Sequence, residues 1–293
     1  MDLAAQALPP RRDPSRPRAR IPAGACDTHA HVFAPAGVYP YAARRPYTPA
    51  PDTGLAAYRR MLAAIGFTRA VLVHSNIYGP DNRATTDALA EMAGAFRGIA
   101  LVRPEVEDGT LAALAAAGMR GIRINLEFPG ELDLADAARL APRLAALGWH
   151  LQLLTGLARL PEIAGQLLAL RLEVVLDHMA LPERESDLAT PGFAALLDLL
   201  AAGRTWVKLS APYYGRADAP AYALATTVAS RLLAARPDRM LFGTNWPHPH
   251  ADPVPDEGGL VDWLASVAGD AATVRQVLVE NPARLYGFPA AGK

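Results

Sequence analysis

Two histidines one residue apart, His29 and His31, stand near the start of the chain; His178 and the run Gly243-Thr244-Asn245-Trp246-Pro247-His248 come far downstream. Each lies at the end of a segment that reads as a β-strand. A one-residue spacing on a strand turns both imidazoles to the same side. With a third imidazole from elsewhere, such a pair can hold a metal ion, polarise a carbonyl or move a proton near neutral pH. The alternative is two hydrogen-bonded core histidines. His178 ends the run Leu172-Glu173-Val174-Val175-Leu176-Asp177, apolar until its last two residues. An abrupt polar ending after a buried stretch marks a site, or Asp177 simply caps the next turn. Five of the seven histidines (His29, His31, His74, His178 and His248) fall at or just beyond predicted C-terminal strand ends. His150, at a strand start, reads as structural.

Two buried cations pose a second question. Arg123 lies in Gly121-Ile122-Arg123-Ile124-Asn125 and Lys208 in Trp206-Val207-Lys208-Leu209-Ser210. An unpaired charge inside an apolar strand is costly, so each needs an anion. For Arg123 that anion is a substrate carboxylate or a buried Asp or Glu. Lys208 is suited to neutralising Asp27 or a neighbouring carboxylate. Asp27, two residues before His29, is placed to orient it. Candidate substrate contacts are Tyr47 in the aromatic and basic loop after the first strand, Ser75, Asn76 and Asn82 after the second, and Tyr213 in Ala211-Pro212-Tyr213-Tyr214-Gly215-Arg216 after the seventh. The polar members of these loops also suit turn formation and helix capping.

The elements that must position these residues repeat. Short apolar strands are predicted at about 25–32, 69–75, 98–102, 119–125, 149–155, 172–178, 204–210 and 239–244. Ala- and Leu-rich helical stretches separate them, and Gly66, Gly118 and Gly148 sit where left-handed helix ends are needed. About eight such units predict an α/β fold, a (β/α)8 barrel that gathers its C-terminal strand ends on one face. A final helix is expected around 271–281.

The 293 residues are 51% hydrophobic, with 29 Lys+Arg against 29 Asp+Glu. A barrel of that length is one domain, expected over 21–293. Balanced charge points away from nucleic acid and from anionic membranes. One cysteine, Cys26, excludes an internal disulfide and fits a reducing cytoplasm. No apolar run approaches a membrane span. Residues 1–20, rich in Pro and Arg, are expected to form a flexible arm; a basic docking segment is the alternative. The chain is expected to be a monomer or small homo-oligomer acting on a small molecule.

Taken together, Cys26-Asp27-Thr28-His29-Ala30-His31-Val32-Phe33, Arg45-Pro46-Tyr47-Thr48-Pro49, Asp81-Asn82, Gly121-Ile122-Arg123-Ile124-Asn125, Asp177-His178-Met179, Gly243-Thr244-Asn245-Trp246-Pro247-His248-Pro249 and Glu280-Asn281-Pro282-Ala283-Arg284-Leu285-Tyr286 resemble the amidohydrolase superfamily. Within it the chain is similar to the branch that includes 2-pyrone-4,6-dicarboxylate lactonase and other enzymes of sugar and muconolactone chemistry. The resemblance spans nearly everything after residue 22. It implies a distorted barrel, hydrolysis of a carboxylated lactone or sugar-acid lactone, and a site at His29, His31, His178, Arg123 and position 245. In this branch a divalent metal is often dispensable. No cofactor is expected to be required; zinc on His29, His31 and His178 is the alternative.

One departure matters most. The lactonase pattern has aspartate at 245, where it activates water, and this chain has Asn245. Lactone isomerases of the branch can carry asparagine there, yet can lack the first histidine, which this chain keeps. Leu154 is also apolar where relatives often place a polar contact. An amide cannot take a proton from water. A base must then come from His178, His248 or His31, and an anionic metal ligand is lost. The expected roles are His178 polarising the carbonyl and Arg123 binding the carboxylate. The alternatives are an aldarolactone isomerase and a catalytically silent binding protein.

Overall fold

The computed structural model describes residues 5–127, 132–214 and 222–289. Gly215 and Arg216 of the seventh rim loop lie outside them. Eight parallel strands run in sequential order: β1 (Cys26–Ala30), β2 (Arg69–Val73), β3 (Phe96–Ala100), β4 (Met119–Asn125), β5 (His150–Leu154), β6 (Val174–Leu176), β7 (Thr205–Ser210) and β8 (Met240–Gly243). Helices cross between them: α1 (Leu55–Ile65), α2 (Arg83–Glu91), α3 (Asp108–Ala116), α4 (Leu134–Ala146), α5 (Leu160–Ala169), α6 (Pro191–Ala201) and α7 (Ala223–Ala235). This is the expected (β/α)8 barrel. Each strand falls within about two residues of its predicted span.

Closure comes just beyond β8. The Asn245 backbone N–H donates to the His29 carbonyl at 2.8 Å, and the His31 backbone N–H donates to the Trp246 carbonyl at 2.8 Å. Gly243 makes this possible: a Cβ there would stand 2.5 Å from the His29 Cβ. Gly66, Gly118 and Gly148 take positive φ of 78°, 104° and 66°, as the helix ends preceding β2, β4 and β5 require.

Alternation along the strands separates two packing faces. Leu72, Ile122, Leu151 and Leu176 face the helices, while Val71, Val73, Ile99, Val175, Trp206 and Leu241 fill the barrel floor. Tyr286 and Phe288, at and beyond α10 (Asn281–Tyr286), pack against that floor. The predicted final helix is α9 (Ala271–Arg275), a π-helical turn over Gln276–Glu280, then α10. Two residues beyond Val175 and Trp206, on the same inward face, come Asp177 and Lys208.

The arm is docked where it was expected to be free. Ala7 and Thr48 share a backbone hydrogen bond of 2.9 Å, and the Ser15 amide and hydroxyl both donate to Asp256. The amides of Arg18 and Ala19 donate to Asp262 at 2.8 and 2.9 Å. Both acids belong to α8 (Glu257–Ala268) or its cap, so hydrogen bonds to carboxylates supply what the arm lacks in apolar burial. Among the described residues no helix is long and apolar enough to cross a membrane.

Candidate active site

The polar residues that interrupt the barrel strands meet around one carboxylate. Asp177, fully buried, accepts from Arg123 Nε at 2.8 Å and from the Gln152 amide at 3.2 Å through Oδ2. Its Oδ1 lies 3.2 Å from His29 Nδ1 and 3.5 Å from Lys208 Nζ. Lys208 also donates to Gln152 Oε1 at 2.8 Å and reaches His29 Nδ1 at 3.2 Å. Burial works to raise the Asp177 carboxyl, but His29, Lys208 and Arg123 outweigh it and hold it well below the usual range. Burial lowers Lys208 to about 8 against the pull of Asp177, leaving it charged at neutral pH.

The imidazoles above this cluster are neutral. Burial lowers His31 and His178 each to about 3, and His29 well below its ordinary value. His31 Nδ1 lies 2.8 Å from the Val73 carbonyl, which can only accept, so Nδ1 holds the proton and Nε2 the lone pair. His178 Nδ1 meets the Ser210 hydroxyl at 2.8 Å. Successive ring centroids lie close: His31–His29 5.1 Å, His29–His178 4.6 Å, His178–Tyr214 5.2 Å, Tyr214–Tyr213 5.1 Å and Tyr213–His248 5.7 Å. The file runs from β1 to the loop after β8. His178, Asn245 and His248 all hold positive φ, at 51°, 62° and 63°. Left-handed backbone at non-glycine residues is strained and is typical of sites.

The far end of the file has its own carboxylate. The Asn245 amide donates to Tyr213 Oη at 2.9 Å and to Tyr214 Oη at 3.1 Å. Tyr213 Oη is 3.0 Å from His248 Nδ1, and His248 Nε2 is 3.1 Å from Glu257 Oε1. His248 and Glu257 are fully buried.

A family model described as amidohydrolase matches residues 26–288. The chain belongs to the amidohydrolase family. It is 36% identical to a 2-pyrone-4,6-dicarboxylate hydrolase of Comamonas testosteroni over 94% of this chain and 93% of that protein. It is 33% identical to a 4-sulfomuconolactone hydrolase of Hydrogenophaga intermedia over 100% and 98%. A D-galactarolactone isomerase of Agrobacterium fabrum is 28% identical over 92% and 93%. An apo crystal structure from Agrobacterium tumefaciens superposes with a TM-score of 0.87 at 27% identity, over 96% of this chain and 99% of that one.

Metal ions serve many hydrolases, and this amidohydrolase has donors for one. His29, Asp177 and His178 each offer a ligand atom within 4.8 Å of the others. They are the residues that would hold a divalent ion, two giving an imidazole nitrogen and one a carboxylate oxygen. His29 Nδ1 faces Asp177 Oδ1, which can only accept, and Lys208 Nζ, which can only donate, both at 3.2 Å; a proton held toward Asp177 leaves the lone pair on Nε2, a buried nitrogen with no hydrogen-bond partner among the described residues. Asp177 already answers two cations, beside which a third would be repelled.

Other expectations resolve residue by residue. Arg123 meets a buried aspartate through Nε, the internal alternative. Asn82 does not reach the site: its amide donates to the carbonyls of Pro80 and Leu101 and its oxygen accepts from the Leu101 amide, bracing the β2 loop against the end of β3. His74 is likewise structural, bonded to Thr85 and Gly79. Tyr47 and Ser75 share a hydroxyl contact of 3.1 Å, and Ser75 caps the short turn in which Asn76 is buried. Asp27 does not orient the His29 ring. It accepts from the His29 amide, the Thr244 amide and hydroxyl, and Tyr58 Oη. Sequence reasoning passed over Gln152 and Glu257. Gln152 had a signal, an amide inside the leucine run of β5; Glu257 had none, being an ordinary acid at a helix start.

Proposed function

We propose that this amidohydrolase opens a lactone ring that carries an anionic group, a carboxylate before others, by adding water across the ring ester. The observation that carries this reading is the charge pattern of the Asp177 cluster: two buried cations share one carboxylate beneath three neutral imidazoles. That excess of positive charge suits both a substrate anion and the oxyanion that forms when water attacks an ester carbonyl. Arg123 binds the substrate carboxylate while Asp177 fixes its Nε edge. His178, with its Nδ1 turned to Ser210, polarises the ester carbonyl. The relatives named above act on lactones, two of which bear carboxylate or sulfo groups by name.

A second reading, transfer of the ring acyl group between hydroxyls of a sugar-acid lactone, is favoured by Asn245, since such transfer needs no activated water. The test is a panel of carboxylated lactones incubated with the protein and followed by NMR. Ring-opened acid is the expected product. Conversion to a second lactone replaces hydrolysis with isomerisation, and an unchanged panel removes both.

A further inference from the structure

Asn245 leaves the site without a carboxylate base, and the nearest carboxylate along the hydrogen bonds is Glu257. Three links join them. The Asn245 side-chain nitrogen, Nδ2, can only donate, so Tyr213 Oη accepts from it at 2.9 Å. A phenol has one hydrogen, and burial pushes the Tyr213 hydroxyl well above its ordinary range, so that hydrogen stays on the oxygen. Its partner in line is His248 Nδ1, 3.0 Å away, which accepts it when that nitrogen holds the lone pair. A neutral His248 that accepts at Nδ1 carries its proton on Nε2, which donates to Glu257 Oε1 at 3.1 Å. With His248 neutral, these assignments give every bond one direction. Glu257 lies in the first turn of α8, where the helix dipole favours a negative charge, and its Oε2 has no hydrogen-bond partner among the described residues. A buried carboxylate that, among the described residues, answers one imidazole is placed to receive positive charge on it.

We propose that Tyr213, His248 and Glu257 form the proton-accepting chain of this enzyme, doing what a carboxylate at 245 does in the lactonase pattern. The inference rests on the hydrolytic reading above. Tyr213 touches the reacting water; His248 and Glu257 act through it as positioning residues. Asn245 holds the Tyr213 and Tyr214 hydroxyls together, and the Tyr214 ring stands between Tyr213 and His178. As the water oxygen bonds to the carbonyl carbon, its O–H breaks and that proton passes to Tyr213 Oη. The tyrosine's own proton moves to His248 Nδ1, giving an imidazolium against the Glu257 carboxylate. When the ring C–O bond breaks, the chain runs backwards and the proton ends on the leaving oxygen. The sum is water plus lactone to hydroxy acid, with every group restored.

Two measurements on the full chain test this. Nitrogen-15 NMR of the imidazoles at neutral pH is expected to show His248 neutral, protonated on Nε2, with Nδ1 accepting a hydrogen bond that Tyr213→Phe removes. A resting imidazolium, or a proton on Nδ1, overturns the proposal whether or not any lactone is consumed. On a lactone the wild type opens, Tyr213→Phe is expected to lower kcat about 100-fold and leave KM within about twofold, the range of a lost proton-transfer group. Glu257→Gln, which keeps the shape and removes the charge, is expected to lower kcat about tenfold with the fold intact. A folded Tyr213→Phe enzyme with wild-type kcat overturns the chain while leaving lactone hydrolysis standing; a wild type that opens no lactone removes the hydrolytic reading and leaves the spectra to decide on the chain.

Discussion

Asp27 and Asp177 are both fully buried carboxylates, and they are held in opposite ways. Asp27 is surrounded by neutral donors, the hydroxyls of Thr244 and Tyr58 and two backbone amides, and burial raises it above the usual range. Asp177 is surrounded by Arg123, Lys208 and His29, which overcome burial and hold it well below that range. The first ties β1 to the strand that closes the barrel. The second organises charge under the imidazoles. A buried acid among neutral donors is a mechanical joint, and one among cations is an electrostatic device.

Acidification separates the two most strongly. His31 and His178, beside Asp177, stay neutral down to about 3, whereas a histidine in the unfolded chain protonates near its model value of 6.5. Below that value the unfolded state binds more protons than the folded one, so stability is complete above it and falls steadily as pH drops toward 3. Each histidine contributes about 1.4 kcal/mol per pH unit. Asp177, depressed, adds to the loss further down, and Asp27, raised, opposes it. The melting temperature is expected to fall steeply between pH 6.5 and 4. A flat profile there would show that the imidazoles are solvated and the contrast illusory.

Asp177→Asn comes next. It leaves Lys208 and Arg123 buried without their shared anion, at about 3–5 kcal/mol of stability, and turnover is expected to vanish. Asp27→Asn sets an amide against groups that only need an acceptor, costs about 1–3 kcal/mol, and retains turnover per folded molecule. Denaturant melts paired with kinetics check both, and equal losses would erase the distinction. Arg123→Met is expected to raise KM for a carboxylated substrate at least tenfold, since truncating a buried charged contact costs about 2–5 kcal/mol. Unchanged KM in the folded variant would assign Arg123 wholly to Asp177. The smallest effect is expected from metal removal: elemental analysis should find zinc below one per chain, and chelation should leave the rate unaltered. Activity lost on chelation and restored by zinc would mean that Asp177 serves a metal in addition to its two cations.

Several features were legible without a fold. Repeated apolar strands with glycine-ended helices require a (β/α)8 barrel, because period and punctuation are local properties. The positions of His29, His31, His178 and Asn245 at strand ends followed from the same repeat, since the barrel sends all such ends to one face. Partners were not legible. The sequence says that Arg123 and Lys208 need an anion, but which one depends on register across four strands, and that register puts both on Asp177. Asn82 reads as a substrate contact until the end of β3 arrives to occupy its amide. The arm reads as free until α8 turns Asp256 and Asp262 toward it. Glu257 becomes more than a helix-start acid only when the loop after β8 carries His248 onto it. Hydrogen bonds and ion pairs act over about 3 Å, so they are settled by contacts between residues tens to hundreds apart in sequence, which local pattern does not encode.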